Sequence, residues 1–575
     1  MPLDWLNDPS LMAPPRAVRV PLDHGCFVLR SPESLKPYAR CIGEWLEHWS
    51  ERTPDAPAFA ERQADGGWQR LTWRGTRERV GRIAQSLLDM KLPPNAPVVV
   101  LSDNSLEHLL LALAAMHVGI PVCTVSSAYC RLTQDYSKVH GILNTLVPAL
   151  VYASDAAVYG PAISSSGLRC PIVFGRGAEQ HAGALPFGAL LEKKEGPGVR
   201  QAYEAITPDM HAKYLLTSGS TGHPKVVINT HRMLCANQQM IAQAWRFLDR
   251  EKPVLVDWLP WSHTFGANHN LHMVLRNGGM LAIDEGRPAP GLIEKTLANL
   301  AEVQPTIWFN VPRGFDVALP LLEADPELAR KVFARLRVIF YAGAALPQAT
   351  WERLQALARK VRGEDVWLTT SWGSTETSPA ITSAHWKLDR AGVIGGMLPG
   401  LEMKFVPNGE MLTPRRRSTP RATTASAMPA SWPTSRIRNA AWSSTAGWPR
   451  TSSSPRAPGF RWAHCASRWC LRSRHWRRTW WSRGTTGTRS VSSCFPRRPP
   501  RRCLRESWQP ASERRCASCA KRAVDRRSAP CARWCWRNRR ARTRGRSPTR
   551  ATSTSGRCCS AGRSRSRGCM RGARA

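Results

Sequence analysis

The sequence predicts an α/β fold of layered sheets with helices on their faces, followed by a basic tail without a stable fold. Apolar strand-like runs alternate with amphipathic helices up to residue 411, as in parallel sheets covered by helices. The charge then changes abruptly: residues 1–411 hold 41 Lys and Arg against 39 Asp and Glu, and residues 412–575 hold 41 against 3. We therefore divide the chain into an amino-terminal domain (1–411) and a tail (412–575).

Composition limits the class of protein. The net charge of +40 suggests a nucleic-acid binder, but nearly all of it lies in the tail, so the first domain has the balance of an ordinary enzyme. Its cysteines are scattered, which suits a reducing cytoplasm. The first ten residues lack a basic segment, and the longest apolar run, Leu109 to Val122, is short and interrupted by His117. We expect a cytoplasmic protein with no signal peptide and no membrane span.

The elements follow in order after a leading segment of about fifty residues whose pattern predicts little. A turn at Thr53 opens an extended run that ends at Arg62. Periodicity then predicts a helix over Leu71–Met90, a strand over Val98–Leu101, a helix over Leu106–Val118, a strand over Ile120–Val125 and, further on, a helix over Arg232–Phe247. This alternation places helices behind a parallel sheet.

A segment without bulky side chains stands between two predicted strands, at Tyr214–Leu216 and Val226–Ile228. It consists of Thr217, Ser218, Gly219, Ser220, Thr221 and Gly222, and Pro224 and Lys225 close it. Backbone N–H groups and hydroxyls of such a loop can surround phosphate oxygens, with the Lys225 charge at the rim. It is not a Walker A loop, because Pro224 precedes the lysine and a strand follows. The alternative is a flexible Ser/Gly linker.

In three later segments, a strand-like run is also followed by small or polar residues. The first, Trp258–Gly266, contains His263 between aromatic residues, where the alternative is a packed histidine. The second, Val338–Pro347, runs into Gly343, Ala344 and Ala345. The third, Thr369–Pro379, contains Trp372, Gly373, Ser374, Thr375 and Glu376, where the alternative is a Ser/Thr turn with an incidental Glu. A glycine-rich strand pair is expected over Gly392–Asn408.

These motifs, in this order, resemble the adenylate-forming superfamily, and Thr53 to Met411 resembles the large domain of its acyl-CoA synthetases, with a small β subdomain. Through LPWSHTFGANHN, NVPRGFD and SWGSTETSP it is most similar to feruloyl-CoA synthases. The resemblance implies ATP, Mg²⁺ and coenzyme A, a carboxylic acid such as ferulate, an acyl-adenylate intermediate and then a thioester.

The resemblance also implies roles for individual residues. The loop from Thr217 to Gly222 and Lys225 would hold the phosphates, and the Gly343–Ala345 turn would take adenine. Trp372 would offer an aromatic face to adenine or the acid, and Gly373 and Ser374 would complete the nucleotide site. Thr375 would contact the α-phosphate, Glu376 would hold Mg²⁺, and His263 would gate or orient the acid. A carboxylate suits that hard ion.

The tail departs from the family, whose mobile carboxy-terminal domain carries a ribose-binding Asp, a hinge and a catalytic Lys. Its forty arginines fit nonspecific contact with nucleic acid. The pair Cys516 and Cys519 has zinc-ligand spacing, but Cys531 and Cys535 do not repeat it and no ordered histidine follows.

A third hypothesis is that the tail is the family's domain translated out of frame. Back-translated with synonymous codons and started one base earlier, residues 422–434 read GYYRIGDAGFLAD and residues 442–453 read VVFDGRVAEDFK. Residues 549–559, read in the same shifted frame, resemble the family's lysine segment. The connection between the domain and the tail, near Thr413–Arg415, is short, as though residues were deleted with the frame change. Three motifs in family order and one frame favour this hypothesis. It implies that the chain as written is impaired as a ligase; the rival is an inactive remnant whose tail binds nucleic acid.

Overall fold

The computed structural model describes residues 3–217, 224–407 and 411–412. Within these ranges the chain is an α/β protein, which confirms the predicted fold class. The predicted tail, apart from Leu412, lies outside the described residues, as do residues 218–223 and 408–410. The domain boundary at residue 411 therefore stays a prediction.

Most strands of the described ranges are short. They are β1 (Val18–Pro21), β2 (Phe27–Arg30), β3 (Pro57–Arg62), β4 (Trp68–Thr72), β5 (Val98–Leu101), β6 (Val122–Val125), β7 (Leu150–Ala153), β8 (Ile172–Phe174), β9 (Leu185–Pro186), β10 (His211–Thr217), β11 (Lys225–Thr230), β12 (Val254–Asp257), β13 (Met280–Ile283), β14 (Ile307–Asn310), β15 (Val338–Tyr341), β16 (Trp367–Thr370), β17 (Thr382–Ser383), β18 (Gly396–Met397), β19 (Glu402–Phe405) and β20 (Met411–Leu412).

The α-helices of the same ranges are α1 (Gly43–Arg52), α2 (Trp73–Asp89), α3 (Leu106–His117), α4 (Ala128–Arg131), α5 (Ser137–Leu146), α6 (Ala156–Ser164), α7 (Pro197–Glu204), α8 (His231–Ala244), α9 (His272–Asn277), α10 (Ile293–Val303), α11 (Pro312–Ala324), α12 (Pro326–Phe333) and α13 (Gln348–Arg362). A π-helix, Phe265–Leu271, leads directly into α9. No helix of the described ranges combines the length and apolarity that a membrane crossing requires.

The largest sheet has the strand order β11-β10-β6-β5-β7-β8-β9 and is parallel except for the antiparallel pair β10–β11. Both of its faces are covered. Alternate residues of β5 point to different cores: Val98 and Val100 join one hydrophobic cluster, Val99 and Leu101 another. A parallel strand buried on both faces needs a continuous apolar run, which is why this strand was predictable from sequence.

Two further sheets lie side by side. One has the order β12-β13-β3-β4 and the other β14-β15-β16, with β14, β15 and β16 parallel. Their neighbouring strands meet at Thr306, whose N–H donates to the Val254 carbonyl at 2.9 Å. The ring of Phe265, just beyond β12, lies 6.1 Å from that of Phe309 in β14. The loops that follow β12, β14, β15 and β16 are therefore close neighbours.

A small antiparallel sheet, β1-β2-β19-β20, joins the beginning of the chain to the end of its described part. Arg30 pairs with Glu402 in the register of β2 and β19, and Leu412 pairs with Lys404. The sequence predicted a strand pair over Gly392–Asn408. Two strands do form there, but they do not pair: β18 joins β17, and β19 joins β2.

The predicted helices form with small shifts at their ends, because side-chain caps fix where they begin. Thr72 accepts from the N–H of Gly75, so α2 starts at Trp73 rather than Leu71. Ser105 accepts from His108 ahead of α3, and Thr230 accepts from Met233 ahead of α8. Each cap satisfies a backbone N–H that has no partner within its helix.

Candidate functional site

The predicted phosphate loop connects two antiparallel strands. Thr217, the last residue of β10, is the Cα partner of Lys225, the first residue of β11. Ser218, Gly219, Ser220, Thr221 and Gly222 lie outside the described residues. The side chain of Lys225 is exposed. The hairpin thus joins the two ends of the predicted loop, while the contacts of the loop itself stay a prediction.

The segment after β16 is a closed turn. The Gly373 backbone bridges Ala380, and the Ser374 N–H donates to the Pro379 carbonyl at 3.1 Å. Ser374 caps a short 3-10 helix, Thr375–Thr377, through reciprocal bonds with Thr377. The carboxylate of Glu376 is exposed on this helix. The turn therefore presents Thr375 and Glu376 on a backbone that is fixed at both ends.

Trp372 begins this turn and packs, partly buried, against the small cluster of Leu29, Ile381, Met397 and Met403. Its backbone carbonyl accepts from Ile381 at 2.8 Å. The ring thus contributes to holding the turn on the small sheet. The predicted contact of Trp372 with adenine or the acid stays a prediction.

The predicted adenine turn lies beside this segment. Thr370 donates from its hydroxyl to the Tyr341 carbonyl at 2.6 Å, which joins the carboxyl ends of β15 and β16. Gly343 has a φ of 84°, a conformation that favours glycine, and Gly343, Ala344 and Ala345 are all exposed. An exposed turn without side-chain bulk leaves room for a flat ligand against the backbone.

The segment containing His263 follows β12 on the same side. The N–H of His263 donates to the Pro260 carbonyl at 3.0 Å, and burial lowers the pKa of the His263 imidazole. Asn104 holds the preceding residues, because its amide donates to the Leu259 carbonyl and accepts from the Trp261 N–H, both at 2.9 Å. Local backbone geometry and a distant asparagine therefore set the position of His263.

A chain of hydrogen bonds links these segments. The Asn268 amide donates to the Thr264 hydroxyl at 3.1 Å and to Asn229 Oδ1 at 2.7 Å. Asn229 Nδ2 in turn donates to the Thr375 carbonyl at 3.3 Å. Asn229 is fully buried and belongs to β11, the strand that begins at Lys225. The structure thus couples the neighbour of His263, the predicted phosphate turn and the hairpin strand of the predicted loop.

Helix α8 forms hydrogen bonds to both the turn after β16 and the π-helix. Asn237 donates to the Ala380 carbonyl at 2.7 Å and accepts from the Ala380 N–H at 3.2 Å. Gln238 donates to the carbonyls of Asn268 and His269 at 2.8 and 3.1 Å. Sequence reasoning missed Asn229, Asn237, Gln238 and Asn268. The available signal was the pair of amides at 237–238 within a largely apolar helix face, where burial requires partners.

The described residues suit a magnesium ion that arrives with a nucleotide. Within residues 3–217, 224–407 and 411–412, no group of three or more His, Cys, Asp or Glu side chains could hold a metal ion. Mg²⁺ often takes one carboxylate and otherwise water and substrate phosphates. The single exposed carboxylate of Glu376 fits that pattern, and the ion would there neutralise phosphate charge.

Comparison with solved structures supports the fold. The chain is similar to the anthranilate CoA ligase AuaEII in complex with anthranoyl-AMP, with a TM-score of 0.53 and 18% identity over 66% of this chain and 67% of that one. It is also similar to acetoacetyl-CoA synthetase from Streptomyces lividans, with a TM-score of 0.56 and 16% identity over 65% and 58%. At these identities the likeness concerns the fold.

Sequence relatives add to this likeness. The chain is 28% identical to a salicylyl-CoA synthase / salicylate adenylyltransferase of a Streptomyces species, over 45% of this chain and 46% of the relative. It is 28% identical to benzoate–CoA ligase of Thauera aromatica, over 57% and 58%. The chain thus spans about half the length of these two relatives. The family model of the AMP-binding enzymes matches residues 46–417, well over half of the chain. The protein therefore belongs to the family of AMP-binding enzymes.

Proposed function

We propose that this chain is an ATP-dependent acid–CoA ligase whose substrate is a hydroxycinnamate such as ferulate. In the first step a carboxylate oxygen of the acid attacks the α-phosphorus of ATP, and pyrophosphate leaves with the bridging oxygen. In the second step the CoA thiol attacks the acyl carbonyl, its proton is lost, and AMP leaves. The acid, ATP and CoA are the partners that this activity requires.

The observation that carries the proposal is the chain of hydrogen bonds from Thr264 through Asn268 and Asn229 to Thr375. It makes one rigid unit of the segment proposed to orient the acid and the turn proposed to hold the α-phosphate. Adenylation requires the carboxylate and the phosphorus to be held in line, and positioning of this kind supplies a large part of the rate.

The residue roles proposed here are those that the family resemblance implies. Lys225, the Thr217–Gly222 loop and Thr375 would stabilise the charge that develops on the phosphates. Glu376 would hold Mg²⁺, and the exposed turn at Gly343–Ala345, with Trp372, Gly373 and Ser374, would take the nucleotide. His263, with a lowered pKa, would be neutral at pH 7 and able to orient the acid without adding a charge.

An aromatic acid suits the aromatic rings that pack together at this side of the strands. Phe265 lies 5.7 Å from Phe340 and 6.1 Å from Phe309 between ring centroids. The relatives named for salicylate and benzoate point to the same chemical class. The narrower choice of ferulate rests on the resemblance of three segments to feruloyl-CoA synthases.

Pyrophosphate exchange into ATP by the full chain tests the adenylation step. We expect exchange that depends on Mg²⁺ and on an aromatic acid, with ferulate preferred over benzoate and salicylate. Lys225→Ala should abolish most of it, whereas Lys91→Ala, at an exposed position just after α2, should not. Absence of exchange with every aromatic acid, both in the folded chain as written and in a version with the tail's frame restored, would contradict the proposal.

We also propose that the tail is an out-of-frame reading of the mobile domain, so that this chain forms the thioester poorly or not at all. The test compares the chain as written with a frame-restored version that includes the missing join, measuring AMP release and feruloyl-CoA. We expect thioester formation by the restored protein alone. Ordinary turnover by the 575-residue chain would overturn this, and salt-sensitive retention of an inactive chain on DNA would favour the nucleic-acid-binding alternative.

A further inference from the structure

The π-helix Phe265–Leu271 is stabilised by buried polar side chains. Asn268, His269 and Asn270 follow one another within it, and each is at most 2% exposed. π-helical turns are rare and often occur at functional sites. Gln238 bonds the carbonyls of two of these residues, and Asn268 bonds Asn229, as described above. Asn270 has a different partner, the carboxylate of Asp257.

Asp257 ends β12 and is 1% exposed. Its Oδ1 accepts from the Leu259 N–H at 3.0 Å, and its Oδ2 accepts from Asn270 Nδ2 at 2.8 Å. Burial raises the pKa of this carboxyl to about 7, but both of its oxygens act as acceptors. An asparagine amide donates only through its nitrogen and accepts only through its oxygen. The bond to Asp257 therefore turns Asn270 Oδ1 the other way, toward His269.

This orientation determines which nitrogen of His269 carries the proton. His269 Nδ1 lies 3.0 Å from Asn270 Oδ1, which can only accept, so Nδ1 must be the donor. Burial lowers the pKa of His269 to about 4, so the ring is neutral at pH 7 and has a single N–H. The proton is on Nδ1, and Nε2 keeps its lone pair.

The ring of His269 belongs to the aromatic group beside the proposed nucleotide turn. It stacks on Phe340 at 5.1 Å with an interplanar angle of 28°, and it meets Phe309 and Phe265 edge-on at 5.3 and 5.8 Å. These rings come from β15, β14 and the π-helix. A change of tautomer would exchange a donor and an acceptor in this otherwise apolar group.

We propose that Asp257 is a positioning residue that, acting through Asn270, fixes His269 as its Nδ1–H tautomer and so sets the polarity of the acid-binding side of the site. The assignment of this side to an aromatic acid rests on the proposed function. The alternative is that Asp257 only holds the turn after β12 through the Leu259 N–H.

Asp257→Asn separates the two possibilities. The new side chain can still accept from Leu259, but its Nδ2 then faces Asn270 Nδ2, two donors in contact. Asn270 must rotate its amide by half a turn, which presents Nδ2 to His269 and moves the imidazole proton to Nε2. The double variant Asp257→Asn/Asn270→Asp restores an acceptor for Nδ1–H. If Asp257 served the turn alone, Asp257→Asn by itself would leave the imidazole tautomer unchanged.

The direct measurement is the ¹⁵N spectrum of the full chain labelled at histidine, because the two tautomers exchange their protonated and unprotonated nitrogen signals. We expect Asp257→Asn to convert the signals of His269, assigned by His269→Gln, and the double variant to restore them. Asp284→Asn is the matched control. That carboxylate is also buried, just beyond β13, but its partners are Thr296, Asn299 and Gly286.

A His269 that stays protonated on Nδ1 in Asp257→Asn, or that changes equally in Asp284→Asn, would overturn the proposal. Should Asp257→Asn fail to fold, Asn270→Ala keeps the bond between Asp257 and Leu259 but removes the acceptor. The proposal then requires His269 to lose its preference for the Nδ1–H form. Retention of that preference would contradict it.

Kinetics supply the second measurement. In pyrophosphate exchange, Asp257→Asn should raise the KM for the aromatic acid about tenfold, as for one lost hydrogen bond, with the KM for ATP unchanged. The double variant should recover most of the loss. An equal rise in both constants would indicate general damage and contradict positioning of the acid side. If neither the chain as written nor its frame-restored version shows exchange, the proposed function fails while the tautomer result still decides this inference.

Discussion

At the scale of single residues, the turn after β16 depends on a position without a side chain. A Cβ at Gly373 would lie 1.8 Å from the Pro379 carbonyl oxygen and 3.1 Å from the Ala380 Cα. Both obstacles are backbone atoms of the same closed turn, so a side chain cannot be accommodated by a change of rotamer. The glycine is required by the close approach of two chain segments that carry the Thr375 and Glu376 backbone.

Gly373→Ala should therefore open this turn. We expect destabilisation by about 1–3 kcal/mol and a loss of nucleotide affinity larger than the loss of stability implies. Titration calorimetry with Mg·ATP and thermal unfolding measure the two effects. The control is Gly141→Ala in α5, where a Cβ meets no atom within 4 Å and should be neutral or slightly stabilising. Unchanged ATP binding by Gly373→Ala would remove the turn from the nucleotide site.

At the scale of elements, α8 fixes the positions of two other segments. Polar residues on its buried face form hydrogen bonds with backbone groups of the turn after β16 and of the π-helix. Asn237 satisfies both the N–H and the carbonyl of Ala380, so it replaces the partner that a neighbouring strand would provide. Buried backbone groups that lose their partner carry the full cost of desolvation. The helix thereby determines the position of a turn 140 residues away in sequence.

Asn237→Ala should leave these two groups of Ala380 unsatisfied. We expect a loss of about 2–4 kcal/mol in the free energy of unfolding, measured by urea denaturation of the full chain. Gln239→Ala is the matched control: its side chain is only partly buried and accepts a single bond, from Arg276. A loss from Asn237→Ala no greater than from the control would show that the turn holds its position independently of α8.

Which elements could be predicted depends on how their residues are buried. The run Val98–Leu101 and the helix behind it were predictable because apolar residues dominate where both faces are covered. Strands β1 and β2 were not, because β1 is mostly exposed and its pattern lacks alternation. The glycine and hydroxyl segments could be located from sequence, but their buried supports, such as Asn229 and Gln238, could not. Partners that lie far away along the chain determine their burial.

At the scale of the whole molecule, the described part of the chain buries several neutral histidines. Burial lowers the pKa of His108, His231, His269 and His385 to about 4 and that of His117 to about 3. In the unfolded chain each would have its ordinary value near 6.5. Because the folded pKa is the lower one, unfolding takes up protons between about pH 4 and 6.5.

The melting temperature should therefore be highest above pH 6.5 and should fall steeply as the pH decreases toward 4. Asp257 contributes in the opposite direction, since its raised pKa of about 7 makes unfolding release a proton in the same range, and burial likewise raises the pKa of Glu61, Glu107 and Asp284. The buried histidines, which also include His263 and His272 with lowered pKa values, outnumber these carboxyls. Thermal unfolding of the full chain between pH 4.5 and 7.5 is the measurement. His385→Gln should reduce the slope, and His24→Gln, at an exposed position, should not. A melting temperature that rises on acidification would contradict the account.

The sheet that joins β2 to β19 has a consequence for synthesis of the protein. Its paired residues Arg30 and Glu402 are separated by 372 positions. At about 5–20 residues per second, roughly 20 to 75 s pass on the ribosome between the appearance of one strand and that of its partner. During this interval the hairpin β1–β2 has one edge open, although the adjoining α/β layers can already form. Closure of this edge by β19 therefore comes late for the described residues, and the hairpin at the beginning of the chain waits for that strand.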